Sequence, residues 1–326
     1  MVATGRALDG RRADGFGSAA ALNRAAALAL GAVLALAGCS ASPAQTSAAA
    51  PAAITVAAGF YPLQFVAERV GGSRVEVTEL APPGVEPHDL ELSPSAVRAV
   101  RAADVVLYLP GFQAAVDDAI ASTGAHALDA SASVALRPLP GGHAGALDPH
   151  FWLDPTLLAT YAGAVGAEFA AIDPAHAAEY LANASTLQGD LAALDASYSS
   201  GLASCDRPTI LVSHDAFGYL ASRYGLTQVG LSGLDPEAEP TPFRIRQMRA
   251  LAAASGATTV FIEPLVDPSV VEAFAADAHL AVATLDPVES LGAAKSGASA
   301  KSGEPAANYL TVMTHNLATL EAGLGC

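Results

Sequence analysis

TILVSHDAFGYLASRYGLTQVGL, residues 209–231, reads as strand, loop, helix and second strand. Thr209–Val212 is short and apolar on both faces. Ala216–Tyr224 has helical spacing, and Val229–Leu231 is again a brief apolar run. A strand without a polar face has to be covered on both sides, which points to a parallel sheet sandwiched by helices. Outward from this unit the pattern recurs. Val260–Ile262 and Ala281–Leu285 read as further strands, with helices at Phe243–Ala254 and Ser269–Ala278. Towards the N-terminus, Ile54–Ala58, Val75–Leu80 and Val105–Leu109 read as strands. One helix carries Leu63, Val66, Ala67 and Val70, and another spans Ser93–Ala102. The class is therefore α/β, built as two groups of strands.

Between the groups, Asp173-Pro174 offers a capping residue followed by a good first helical residue. Ala175 to about Leu202 then runs without proline, with Leu181, Leu187, Leu191 and Leu194 at helical spacing. Such a helix suits a rigid connector between two lobes; a surface helix, or two helices broken at Gly189, is the alternative. Asp154-Pro155 and Asp267-Pro268 read as helix starts of the same kind. Asn308–Leu320 reads as a closing helix, after a loop at Lys295–Pro305.

The first fifty residues read as an address. Arg6, Arg11, Arg12 and Arg24 precede an apolar run, Ala25–Ala37, too short for a stable membrane anchor. The run ends Leu36-Ala37-Gly38-Cys39, which resembles the lipobox of bacterial lipoproteins. That resemblance implies cleavage before Cys39, a lipid on its thiol and a place on the outer face of the cell membrane. Residues 1–38 are then a signal peptide. Ser40–Ala53, uncharged and rich in Ser, Ala and Pro, makes 39–53 a flexible tether. Three cysteines are present. With Cys39 lipidated, Cys205 and Cys326 remain in an oxidising compartment and are expected to pair, the alternative being two buried thiols.

The chain of 326 residues is 52% hydrophobic and 15% charged, enough to bury a large core and to exclude a disordered chain. Its net charge of −16 argues against nucleic-acid binding, which needs a basic surface. Removing the signal takes away four Arg and two Asp and leaves −18. Such a surface tolerates cations.

Of eight histidines, three stand out. His88 lies in the Pro/Gly-rich loop Pro82–Asp89, His150 beside the single Trp in LDPHFWLDP (147–155), and His214 at the end of the strand Thr209–Ser213. Asp286 and Glu263 also follow apolar strands, where open α/β sheets bind their ligands. Three imidazoles and a carboxylate suit a divalent metal such as Zn²⁺. His126, His176, His279 and His315 read as packing or capping residues, and His143 as a solvent-facing loop residue that could serve as an auxiliary ligand.

Six strings in order carry a resemblance: PPGVEPHDLELSPS (82–95), DPHFWLDP (148–155), SHDAFGYLASRYGL (213–226), LDPEAEPT (234–241), IEPLVDPSVVE (262–272) and LDPVE (285–289). They are similar to the cluster A-I solute-binding proteins, the metal-binding lipoproteins of zinc and manganese ABC importers. The match covers nearly all of the chain after residue 52. The resemblance implies an N-terminal α/β lobe at 54–172, a linking helix at 173–203 and a C-terminal lobe at 204–326. It places metal in the cleft between the lobes, on His88, His150, His214 and Asp286. It further implies an ABC permease and its cytoplasmic ATPase as partners. No second copy of the chain is expected, and enzymatic activity is not. Two departures from the family are visible. The His- and acid-rich loop of many zinc importers is reduced here to His143, and a Lys-containing segment follows LDPVE.

His214, where manganese binders of the family tend to carry Glu, favours Zn²⁺ over Mn²⁺ or iron. Glu237 and Glu263 are expected to flank the cleft and to accept hydrogen bonds from ligand imidazoles, the alternative being capping or surface carboxylates. A zinc hydrolase is the competing class. Against it, no H-E-x-x-H or G-x-S-x-G string is present, and a fourth protein ligand closes the position that a catalytic zinc keeps open. A surface adhesin finds no separate support in the residues.

Overall fold

A computed structural model describes residues 54–139, 146–291 and 307–326. The signal, the tether with Cys39, His143 and the whole loop at 295–305 lie outside the described residues.

The first sheet contains β1 (Ile54–Ala58), β2 (Val75–Glu79), β3 (Val105–Tyr108) and β4 (Ala127–Asp129), in the order β2-β1-β3-β4. All its pairings are parallel, with Val56 opposite both Val77 and Val105. The second contains β7 (Thr209–Val212), β8 (Thr227–Gly230), β9 (Thr259–Ile262) and β10 (Ala281–Thr284), in the order β10-β9-β7-β8 and again parallel. In both sheets the first strand lies between the second and third, so each has a switch point at the strands' carboxyl ends. A two-stranded antiparallel ribbon, β5 (Arg137–Pro138) with β6 (Leu147–Asp148), leads towards the second half.

The helices start and stop where local chemistry directs. In α1 (Tyr61–Gly71) the chain stops at Gly72, whose φ of 56° only glycine adopts easily. Ser93 accepts from the Ala96 amide to start α2 (Pro94–Ala102). Asp154 accepts from the Thr156 amide to start α4 (Pro155–Ile172). Thr241 starts α7 (Pro242–Ser255) in the same way, and α9 (Tyr309–Leu324) opens with an Asn308–Thr311 capping box. The remaining helices are α3 (Ala114–Thr123), α5 (Ala177–Gly201), α6 (Gly218–Arg223) and α8 (Ser269–Ala278).

The expected long connector is α5. A 3-10 turn, Pro174–His176, precedes it, and the 25-residue helix runs unbroken past Gly189. At 1.5 Å per residue it is about 37 Å long. Its N-terminal half is fastened to the first half of the chain: Asn183 donates to the Val70 carbonyl at 3.0 Å, and Arg69 meets Asp190 at 2.6 Å. Its C-terminal end is fastened to α9, where the Tyr198 hydroxyl donates to the Met313 carbonyl at 2.7 Å. One continuous apolar cluster, from Ile54 to Leu324, runs through the first sheet, α1, α4, α5, β7 and α9. A smaller one around Met248, Val260 and Phe274 covers the other face of the second sheet. Cys205 and Cys326 are joined in a disulfide that fixes the end of α9 beside the start of β7.

Candidate metal centre

Four side chains from loops at the carboxyl ends of strands converge. His88 follows β2 through a turn at Gly84, whose φ is 83°. Its amide donates to Glu86 Oε1 at 3.0 Å, its ring stands edge-on to Phe112, and buried Gln113 donates to the preceding Pro87 carbonyl at 3.3 Å. His150 follows β6. Asp148 Oδ1 accepts from the His150 amide at 3.0 Å and faces its Nδ1 at 2.8 Å, fixing both backbone and ring. His214 lies two residues past β7, with Nδ1 2.6 Å from Glu263 Oε2. The other oxygen of Glu263 accepts from the Ser213 hydroxyl and, at 3.3 Å, from the His214 amide. Glu289 follows β10 and is buried, as are His150 and His214; His88 is nearly so.

The donor atoms of His88, His150, His214 and Glu289 all lie within 4.8 Å of one another. Glu289 Oε1 is 3.0 Å from His150 Nε2, 3.5 Å from His214 Nε2 and 3.6 Å from His88 Nε2. The two Nε2 atoms of His150 and His214 face each other at 3.5 Å. A tetrahedral zinc with bonds of about 2.0–2.1 Å has ligand–ligand edges of roughly 3.3–3.4 Å. With the Nδ1 atoms of His150 and His214 turned to carboxylates, those protons are assigned to Nδ1. Both Nε2 lone pairs then point inward. His88 Nε2 is buried without a hydrogen-bond partner among the described residues. Converging lone pairs and a buried carboxylate repel one another unless a proton or a cation sits among them.

The electrostatics agree. Burial opposes charge on His150, yet hydrogen bonding to Asp148 and Glu289 outweighs it and holds the imidazole above its ordinary value. Burial likewise opposes charge on His214, and Glu263 and Glu289 raise it well above that value. For Glu289 burial favours the neutral acid, but the three imidazoles hold it well below the usual carboxylate range. Glu86 is pushed up to about 7, by burial first and then by repulsion from Glu289.

The structure brings together three of the four expected ligands. Asp286 is not in the cluster: its Oδ1 accepts from the Val288 amide at 2.8 Å and closes a tight turn. Glu289, three residues on in the same LDPVE string, contributes the fourth donor. Glu263 lies against His214 as described, whereas Glu237 is exposed and its amide donates to Asp235. Asp148 was not singled out in the sequence, although it opens the DPHFWLDP string. His126 pairs with Glu168, His176 with Asp173, and His279 caps α8 at a φ of 56°.

Residues 56–323 match the family described as zinc-uptake complex component A, periplasmic (ZnuA). The zinc-binding protein AdcA of Streptococcus pyogenes serotype M6 is 28% identical over 291 residues, covering 82% of this chain and 55% of the relative. The chain thus spans about half the length of that curated relative. The high-affinity zinc uptake system protein ZnuA of Bacillus subtilis is 26% identical over 280 residues, covering 81% of this chain and 86% of the relative. The zinc-bound ZnuA-like domain of Streptococcus pneumoniae AdcA superposes with a TM-score of 0.71 at 28% identity, over 84% of this chain and 100% of that one.

Proposed function

The chain belongs to the family of periplasmic zinc-uptake component A, and from that premise we propose that it captures zinc outside the cytoplasm and delivers it to an ABC-type permease driven by a cytoplasmic ATPase. The observation that carries this is the convergence of three imidazole nitrogens and one carboxylate oxygen within 4.8 Å of one another. His88, His150, His214 and Glu289 bind the ion. Asp148 and Glu263 orient two of the rings and hold the proton of the neutral imidazole on Nδ1, which leaves Nε2 to the ion. A set of three nitrogens and one oxygen suits Zn²⁺ better than the oxygen-seeking Mn²⁺. All four positions come from protein, so no open place remains for a reacting water, which separates this centre from that of a zinc hydrolase. Lipid on Cys39 and the tether at 39–53 would hold the two lobes, 54–172 and 204–326 with the linking helix 173–203 between them, at the membrane face.

The test is metal content. Purified protein analysed by mass spectrometry should carry about one zinc per chain, and His214→Ala should lose most of it while keeping its fold. Well-folded wild-type protein that takes up no transition metal would overturn the reading.

A further inference from the structure

The segment carrying Glu289 is held far more firmly than its length requires. Beyond β10 the Leu285 amide makes the last sheet bond, to the Ile262 carbonyl at 2.9 Å. Three side chains then grip the next three residues. Asn316 on α9, fully buried, clasps the backbone of Asp286 at both ends: its Oδ1 accepts from the Asp286 amide at 3.0 Å, and its Nδ2 donates to the Asp286 carbonyl at 2.7 Å. Trp152, two residues past the ligand His150, donates its indole N–H to the Pro287 carbonyl at 2.8 Å. The Asp286 carboxylate accepts from the Val288 amide. At the centre of this grip Val288 adopts a φ of 60°. For a β-branched residue that is a genuine outlier, and a conformation of this kind persists only where its surroundings over-determine it. The indole also packs against the His150 ring, with centroids 5.2 Å apart, so one side chain touches a ligand from the first half of the chain and the loop of a ligand from the second.

Resting on the zinc-binding reading above, we propose that Asn316 and Trp152 are positioning residues that hold Val288 in its left-handed conformation and thereby aim the Glu289 carboxylate at the metal. If the clasp is released, Val288 returns to negative φ, and the peptide that follows swings Glu289 out of the cluster. Glycine at position 288 has no such preference and removes the drive to swing.

Cobalt(II) reads the coordination directly, because its visible absorption depends on the number and geometry of ligands. In the wild-type protein a four-ligand spectrum is expected, and Glu289→Gln supplies the reference for a centre without the carboxylate. Asn316→Leu is similar in size and without hydrogen bonds. It should move the cobalt spectrum towards that reference and weaken zinc binding by about 10- to 100-fold, the range found when groups that orient metal ligands are removed. Adding Val288→Gly to Asn316→Leu should recover part of that affinity, whereas two independent structural lesions would add. Trp152→Phe keeps a ring against His150 and loses only the N–H. It should shift the spectrum in the same direction and serves if the leucine variant does not fold. Wild-type cobalt spectra and zinc affinities in both Asn316→Leu and Trp152→Phe would overturn the proposal alone, as would a double variant no tighter than Asn316→Leu. A wild-type protein that binds neither metal would overturn the functional reading and this proposal with it.

Discussion

At the scale of single residues, His150 and His214 both compete for Glu289, and each also has a carboxylate behind it. Both imidazoles are raised above 6.5, so without metal they hold their protons at a pH where an ordinary histidine has released them. Their contribution to the stability of the metal-free protein is complete below 6.5 and is lost as pH rises through the raised values. That of Glu289, lowered well below 4.5, is present above 4.5 and lost only as pH falls through its depressed value. Metal has the opposite dependence, because it needs neutral imidazoles. Zinc affinity should therefore begin to fall already above pH 6.5 and steepen, with two protons in competition, towards as much as about 100-fold per pH unit. Calorimetric titrations at several pH values between 5.5 and 8 would show this. A constant affinity from pH 8 down to 6.5 would contradict it.

The fourth ligand shows what was legible at that scale. Asp-Pro occurs six times, at 148, 154, 173, 235, 267 and 286. In five of these the carboxylate accepts from the amide two residues on, at His150, Thr156, Glu237, Ser269 and Val288. Proline pre-sets the geometry and aspartate closes the turn. The reading of Asp154 and Asp267 as structural residues applies equally to Asp286, and points on to Glu289 as the candidate fourth donor. The positions of His88, His150 and His214 came from ordered strings rather than from spacing, since loops so far apart in sequence meet only through the fold.

At the scale of elements, strands built from valine and isoleucine were visible in the sequence, but alanine concealed some of the rest. In α4 seven residues are buried, yet Ala and Gly are spread round the helix, so no clean stripe marks its inner face. For α3 and β4 the same dilution holds. The closing helix α9 matters most for the centre. It carries Asn316, its Tyr309 hydroxyl donates to the Trp152 carbonyl, and the Cys205–Cys326 disulfide secures its end. The bond closes a loop with a sequence separation of 121, long enough to restrict the unfolded chain substantially. Replacing both cysteines by serine should destabilise the protein by about 2–4 kcal/mol. Denaturant melts of the oxidised protein and of the double variant would measure this, and coincident curves would show that the disulfide adds nothing.

At the scale of the whole molecule, the proposed ligands come from both halves of the chain, and contacts beside them connect the halves. The Gly84 amide donates to the Ser290 hydroxyl at 3.0 Å, linking the His88 loop to the residue after Glu289, and Trp152 reaches Pro287. Behind this seam α5 is fastened to α1 at one end and to α9 at the other, and a single apolar cluster continues through both. Wide opening about a hinge would have to break that cluster as well as bend a 25-residue helix. Metal loading is therefore expected to order loops and leave the lobes in place. Zinc at about a thousand times its dissociation constant contributes about 4 kcal/mol to stability. For a domain of this size that raises the melting temperature by on the order of 10 °C. Solution scattering should give radii of gyration for metal-free and zinc-loaded protein that agree within about 1 Å, against about 20 Å for a folded chain of this length. Limited proteolysis should nonetheless show the His88 and Glu289 loops protected by zinc. A contraction of several ångström on loading would mean that the lobes close about α5 as a hinge, and the rigid-strut account would fall.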